Sequence, residues 1–195
     1  MIWPQTDLRT IRDLWMGFTD KYHNKYQTGG LQHLLAEQIR TEVGADVFRS
    51  CFKFSIVRNP WDRVVSQYTF MKKREDLRDF IGMRNDDSLK SYLQLLHKKK
   101  HVQWEQQVTF LQDANGHSLV DYIGRFECFE RSVREVMSQI GIQASTIPHE
   151  NRGQREPYWK YYDSEARDMV ASMYAADIAA FGYTFDEPQQ FVPGS

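Results

Sequence analysis

The sequence predicts an α/β chain dominated by helices, with a small parallel sheet. Three observations carry that prediction. Phe52, Phe54 and Ile56 alternate with Lys53, Ser55 and Val57, the period of a strand with one or both faces buried. That strand passes straight into a helix: Asn59 stands where an N-cap belongs, Pro60 where a first helical residue belongs, and residues 61–71 hold no breaker. Elsewhere apolar residues recur mostly at helical spacing, and residues 120–126 form the other clear strand pattern. Two strands make a thin sheet for an architecture whose faces are normally both covered by helices.

In chain order, Leu8, Ile11, Trp15, Phe18 and Tyr22 mark an amphipathic helix over residues 7–22, with Pro4 and Thr6-Asp7 suited to its start. A polar loop follows and ends in Gly29-Gly30. Leu31, Leu35, Ile39 and Val43 form the next apolar stripe, which Gly44 is placed to cap. After the strand and helix of residues 52–71 come a charged stretch over 72–79 and a loop over 82–87. Leu89, Tyr92, Leu93 and Leu96 mark a helix ending in Lys98-Lys99-Lys100, and Asn115-Gly116 signals a turn. Residues 120–126 read as a strand in the core, and Phe129, Val133, Val136 and Ile140 as the helix after it. Residues 151–157 form a polar, Arg-rich loop. A final helix starts near Ser164 and carries Met169, Val170 and Met173, and the tail beyond Gly182 reads as surface-bound or loose.

A length of 195 residues with 41% hydrophobic content fits one globular domain over residues 1–195. A net charge of −1 argues against bulk electrostatic binding of nucleic acid or anionic membrane. Cys51 and Cys128 read as reduced thiols in or near the core rather than a disulfide framework. No segment reaches the roughly 20 apolar residues that span a bilayer, and the first residues lack the regions of a signal peptide, so the expected location is the cytoplasm. The six histidines show no metal-ligand spacing and Cys-x-x-Cys does not occur, so no metal site is expected.

The strand-to-helix turn is the most informative place. A helix N-terminus offers free N–H groups and a partial positive charge, a natural anion site. Arg58 adds a planar fork suited to phosphate, and Ser66, two turns into the helix, adds a hydroxyl. The bland alternative is equally physical: Arg58 pairs with a carboxylate such as Asp62, and the connection is purely structural.

The run R-N-P-W-D-R-V-V-S-Q-Y over residues 58–68 resembles the 3′-phosphate-binding motif of sulfotransferases that use 3′-phosphoadenosine 5′-phosphosulfate (PAPS). It is most similar to the branch of the Golgi carbohydrate sulfotransferases and their bacterial relatives. Weaker similarity through Y-H-N-K-Y, G-G-L-Q-H, V-D-Y-I-G-R-F-E, P-H-E-N-R and D-I-A-A-F-G-Y extends over most of the chain. The resemblance implies a helix-rich, P-loop-like sulfotransferase domain in which Arg58 and Ser66 hold the nucleotide's 3′-phosphate. The family's opening strand and its P-K-x-G-T-S-like loop, which wraps the 5′-phosphosulfate, do not occur in this sequence. The chain therefore reads as a member that begins after both, with a thin sheet and an unpaired edge as the expected consequence.

Two functions follow from the resemblance. One is transfer of the sulfuryl group from PAPS to a hydroxyl of a carbohydrate-like acceptor, leaving adenosine 3′,5′-bisphosphate. The other is a non-catalytic remnant that binds adenosine 3′,5′-bisphosphate or a protein partner without turnover. Transfer needs a base for the acceptor hydroxyl, and G-G-L-Q-H resembles the segment that carries it, which implies His33; a helical His paired with Glu37 is the bland reading. His23 is the second candidate, and His149 adjoins the late loop. His97, His101 and His117 read as surface histidines. Arg152 and Arg155 lie in a loop that in relatives closes over the 3′-phosphate, and the resemblance implies Arg155 as a further ligand. Arg63 reads as a structural ion pair, Trp61 as core packing or an adenine platform, and Lys98 to Lys100 as a helix end or an attractor of anionic glycans.

Overall fold

The computed structural model describes residues 34–98, 101–143, 147 and 155–185. Helix α1 spans Ala36–Val43 and α2 spans Ala45–Ser50. Strand β1 spans Phe54–Val57 and leads into α3, Pro60–Met71. Then come α4 (Glu75–Ile81) and α5 (Leu89–Leu96), with short 3₁₀ turns at Val102–Trp104 and Val108–Phe110. Strand β2 spans Tyr122–Arg125 and passes through a 3₁₀ turn, Phe126–Cys128, into α6, Phe129–Gln139. A 3₁₀ turn at Tyr158–Tyr161 precedes α7 (Ser164–Met173) and α8 (Ala175–Phe181). The expected class holds: an α/β, helix-rich chain with a small parallel sheet.

β1 and β2 pair in parallel, Phe54 opposite Tyr122 and Val57 opposite Arg125, so both strands end on the same side of the sheet. The ladder is packed tightly against α6 at Gly124. A Cβ there would lie 2.6 Å from both Ile56 Cδ1 and Ser132 Cβ, so only glycine lets strand and helix approach this closely. The Ser132 hydroxyl accepts from the Arg125 N–H at 3.0 Å and donates to the Arg125 carbonyl at 3.1 Å, closing the end of β2.

Helix α3 is the hub of the core. Trp61, Val64, Val65, Tyr68 and Met71 are buried and meet Leu89, Tyr92, Leu93 and Leu96 of α5 and Ala166 and Val170 of α7. Each fully buried side chain of this size is worth roughly 1.5–3 kcal/mol of transfer free energy. The start of α3 is built as its sequence suggests: the Asn59 side chain accepts from the Trp61 N–H at 3.0 Å, and Pro60 fills the first helical position, where no donor is needed.

Several expectations change. Within and just past the charged stretch, residues 75–81 form a helix that the sequence reading did not assign, with Gly82 closing it in the left-handed conformation at φ 76°. Residues 120–126 are not a core strand throughout: the strand is shorter, Ile123 and Phe126 are exposed, and only Gly124 of β2 is buried. Of the two expectations for the chain beyond Gly182, surface-bound or loose, the described part is bound, and more deeply than at the surface. Tyr183 is buried, and Phe185 packs edge-on against Trp61, Tyr158 and Tyr162. His101 is buried too, stacked 4.7 Å from the Trp104 ring, with its Nδ1 accepting from the Gln103 N–H. Gly44 does cap α1, Cys51 and Cys128 are free thiols, and His97 and His117 are exposed. The expected helix at residues 7–22 lies outside the described residues.

Candidate functional site

The site lies where both strands end. Immediately after β1 the backbone of Arg58 leaves the ladder, and its two polar groups are taken by one side chain. Gln107 Oε1 accepts from the Arg58 N–H at 2.9 Å, and Gln107 Nε2 donates to the Arg58 carbonyl at 2.9 Å. The next N–H, that of Asn59, donates to Glu127 Oε1 at 2.6 Å, and Glu127 Oε2 accepts from the Tyr183 hydroxyl at 3.1 Å. Burial first, and then Glu127, push the Tyr183 hydroxyl above its ordinary range, so it remains a donor. Asn59 Nδ2 donates to the Thr184 carbonyl at 3.0 Å.

Arg58 itself is held on two sides. Its Nε donates to Asp62 Oδ2 at 2.6 Å, one turn into α3, its Nη2 lies 2.6 Å from the same oxygen, and its guanidinium lies 4.2 Å from the centre of the Phe126 ring. The other Asp62 oxygen, Oδ1, accepts from Arg155 Nη2. Arg58 and Arg155, 97 positions apart in sequence, thus converge on one carboxylate, and all three side chains are about four-fifths buried. Among the described residues, two guanidinium groups against one carboxylate leave a local charge of +1. Among the described residues Arg58 Nη1 and Arg155 Nη1 carry no hydrogen bond, so donors remain beyond those that Asp62 uses. Ser66 follows Asp62 by one turn on the same side of α3, half-buried, and its hydroxyl has no partner among the described residues.

The amides at the helix start are less available than the sequence suggests. Trp61 N–H is capped by Asn59 and the Asn59 N–H is taken by Glu127, so the positive character of the place rests on the arginines. The bland pairing of Arg58 with Asp62 is real, yet it does not neutralise the site, because Arg155 shares the same carboxylate.

The remaining candidates separate cleanly. Arg63 is structural: it donates to the carbonyls of Glu105 and Gln103 at 2.7 and 3.0 Å and lies 4.0 Å from Asp177. Trp61 is core packing, 4% exposed, with its indole N–H donating to the Arg167 carbonyl. Lys98 is exposed at the end of α5, and Lys99 and Lys100 lie outside the described residues. His33, His23, His149 and Arg152 also lie outside them. Among the described residues no cluster of His, Cys, Asp and Glu suits a metal ion, and no helix is long and apolar enough to cross a membrane.

Sequence reasoning missed Gln107, Glu127 and Asp177. Asp177, fully buried at the start of α8, accepts from the Gln107 N–H at 2.9 Å and the Val108 N–H at 2.7 Å. A buried carboxylate surrounded by donors is visible only once the chain is folded. Glu127 had a faint signal, since it closes the run V-D-Y-I-G-R-F-E.

Comparison with known proteins bears on this geometry. A protein from Archaeoglobus fulgidus carrying the description "uncharacterized protein" is 29% identical over 107 residues, which is 55% of this chain and 82% of that protein. No solved structure matches. A model of the sulfotransferase family matches residues 17–184, a span that contains β1, α3 and the whole arginine cluster. The chain belongs to the sulfotransferase family.

Proposed function

We propose that this transferase uses PAPS as its sulfuryl donor and a hydroxyl of a carbohydrate-like molecule as acceptor. The observation that carries the reading is the convergence of Arg58 and Arg155 on Asp62 at the head of α3, with the Ser66 hydroxyl one turn on. A nucleotide 3′-phosphate placed there would take the spare guanidinium donors and the serine hydroxyl, contacts that read phosphate by geometry as well as charge. Asp62 keeps the two arginines together when no anion is present and limits the excess charge to +1.

His33 is the proposed general base. It would take the proton of the acceptor hydroxyl as that oxygen attacks sulfur. The sulfur–oxygen bond to the nucleotide then breaks and adenosine 3′,5′-bisphosphate leaves. Family membership supports sulfuryl transfer in general; the donor, the acceptor class and these residue roles are our reading. The test is transfer of labelled sulfate from PAPS to a panel of oligosaccharides, with wild type and His33→Ala. Product in wild type that falls by 10²- to 10⁴-fold in the variant supports both the reaction and the base. Equal product in both would remove His33 from the mechanism. Nucleotide binding without product on any acceptor would favour a binding protein instead.

A further inference from the structure

We propose that Gln107 is a positioning residue that sets the selectivity of Arg58 for the 3′-phosphate. The proposal deepens the reading of Arg58 above and rests on it. Arg58 sits just past the last paired residue of β1, Val57, where the ladder no longer holds its backbone. The Gln107 carboxamide takes the role of a ladder partner, accepting from the Arg58 N–H and donating to the Arg58 carbonyl, both at 2.9 Å. Among side chains of this length only a carboxamide does both at once, since a carboxylate has no donor and an ammonium no acceptor.

The carboxamide is itself fixed from behind. Its second amide hydrogen points to Asp177 Oδ2 at 3.3 Å, and the same oxygen accepts from the Gln107 N–H at 2.9 Å. Asp177 is completely buried, so this support does not move with solvent. The chain of contacts runs from α8 through Asp177 and Gln107 to the backbone of Arg58.

This matters because a guanidinium lies far from its own Cα. A tilt of about 10° in the backbone displaces the fork by about 1 Å, beyond the roughly 0.5 Å tolerance of a preorganised site. Asp62 and Phe126 steady the tip of the side chain, whereas Gln107 sets its root. Loosening the root should therefore blur recognition of the one phosphate that Arg58 reads and leave the rest of nucleotide binding intact.

The experiment measures the affinity of adenosine 3′,5′-bisphosphate and of adenosine 5′-monophosphate for wild type, Gln107→Ala, Gln107→Met and Arg58→Ala. The methionine variant keeps the volume of the side chain and guards against collapse of the alanine variant; thermal melts report folding of each. We expect wild type to favour the bisphosphate at least tenfold, Arg58→Ala to abolish the preference, and the Gln107 variants to lose most of it with little change for the monophosphate. A preference retained in folded Gln107→Met overturns the role of Gln107 alone. A parallel loss for both nucleotides makes Gln107 merely structural and also overturns the proposal. No preference in wild type overturns the reading of Arg58 and this inference with it.

Discussion

The two ends of the β1–β2 ladder carry the same chemistry in different proportions. At the N-terminal end Lys53 Nζ meets Asp121 Oδ2 at 2.7 Å, and the Lys53 N–H donates to the same oxygen at 2.8 Å: one cation, one carboxylate. At the C-terminal end Arg58 and Arg155 share Asp62, Arg125 lies over the Tyr183 ring, and Glu127 is satisfied by the Asn59 N–H and the Tyr183 hydroxyl. Among the described residues three cations stand there against two carboxylates, an excess of +1. The balanced end is a fastener. The overcharged end is a fastener with capacity left over, and in open α/β sheets the crevice beyond the strands' carboxyl ends is where ligands bind. A salt bridge seen in isolation does not separate a structural role from a binding one; the count of unspent donors does.

The comparison depends on a ladder that holds its two ends in register, and Gly124→Ala should break it hardest. The new Cβ would collide with Ser132 Cβ, which is fixed to α6, and with the tip of the Ile56 side chain, which must turn aside, at an expected cost of about 2–3 kcal/mol in chemical denaturation. Asp62→Asn comes next. Removing the shared carboxylate leaves two guanidinium groups facing each other, and we expect a loss of about 1–2 kcal/mol at low salt that shrinks when sulfate is added. Sulfate that fails to rescue this variant would contradict an anion-binding end.

Asp121→Asn should matter least, roughly 0.5 kcal/mol, because Asp121 is nearly half exposed and the pair is screened by solvent. Its carboxyl is held below the usual carboxylate range, chiefly by the hydrogen bond from the Lys53 side chain and then by the Lys53 N–H. A lowered folded value gives stability that is present above the ordinary carboxylate value of 3.8 and is lost as pH falls through the lower one. The difference between wild type and Asp121→Asn should accordingly vanish in acid, and sulfate should leave it unchanged at neutral pH. Urea melts from pH 2 to pH 7 would show both.

What was legible in the sequence was what neighbours decide. Asn59-Pro60 announces a helix start because capping and a fixed φ are properties of those two residues, and the structure builds the cap as written. Arg58, Asp62 and Ser66 stand out for the same reason, being one strand end and two successive turns of one helix. The convergence of Arg155 on Asp62 was not legible, since it spans 93 positions and depends on how the late loop returns. Gln107 was invisible: a glutamine between Gln106 and Val108 carries no local sign that its amide completes a strand 49 positions away. The helix over residues 75–81 went unassigned in a stretch marked only by its charge, although Leu77, Phe80 and Ile81 lie at helical spacing and reach the core. His101 was misjudged because the lysines before it suggested water, while Trp104, three residues on, draws it inward.

The most direct test of the account is a calorimetric titration of adenosine 3′,5′-bisphosphate into wild type and Arg58→Ala/Ser66→Ala. Losing a charge-assisted contact and a hydroxyl contact should cost roughly 2–4 kcal/mol, or about 30- to 1000-fold in affinity. Tight binding that collapses in the folded double variant is the predicted result. Equal affinity in the two proteins, or no binding by folded wild type, would mean that the surplus charge at the head of α3 serves something other than this nucleotide.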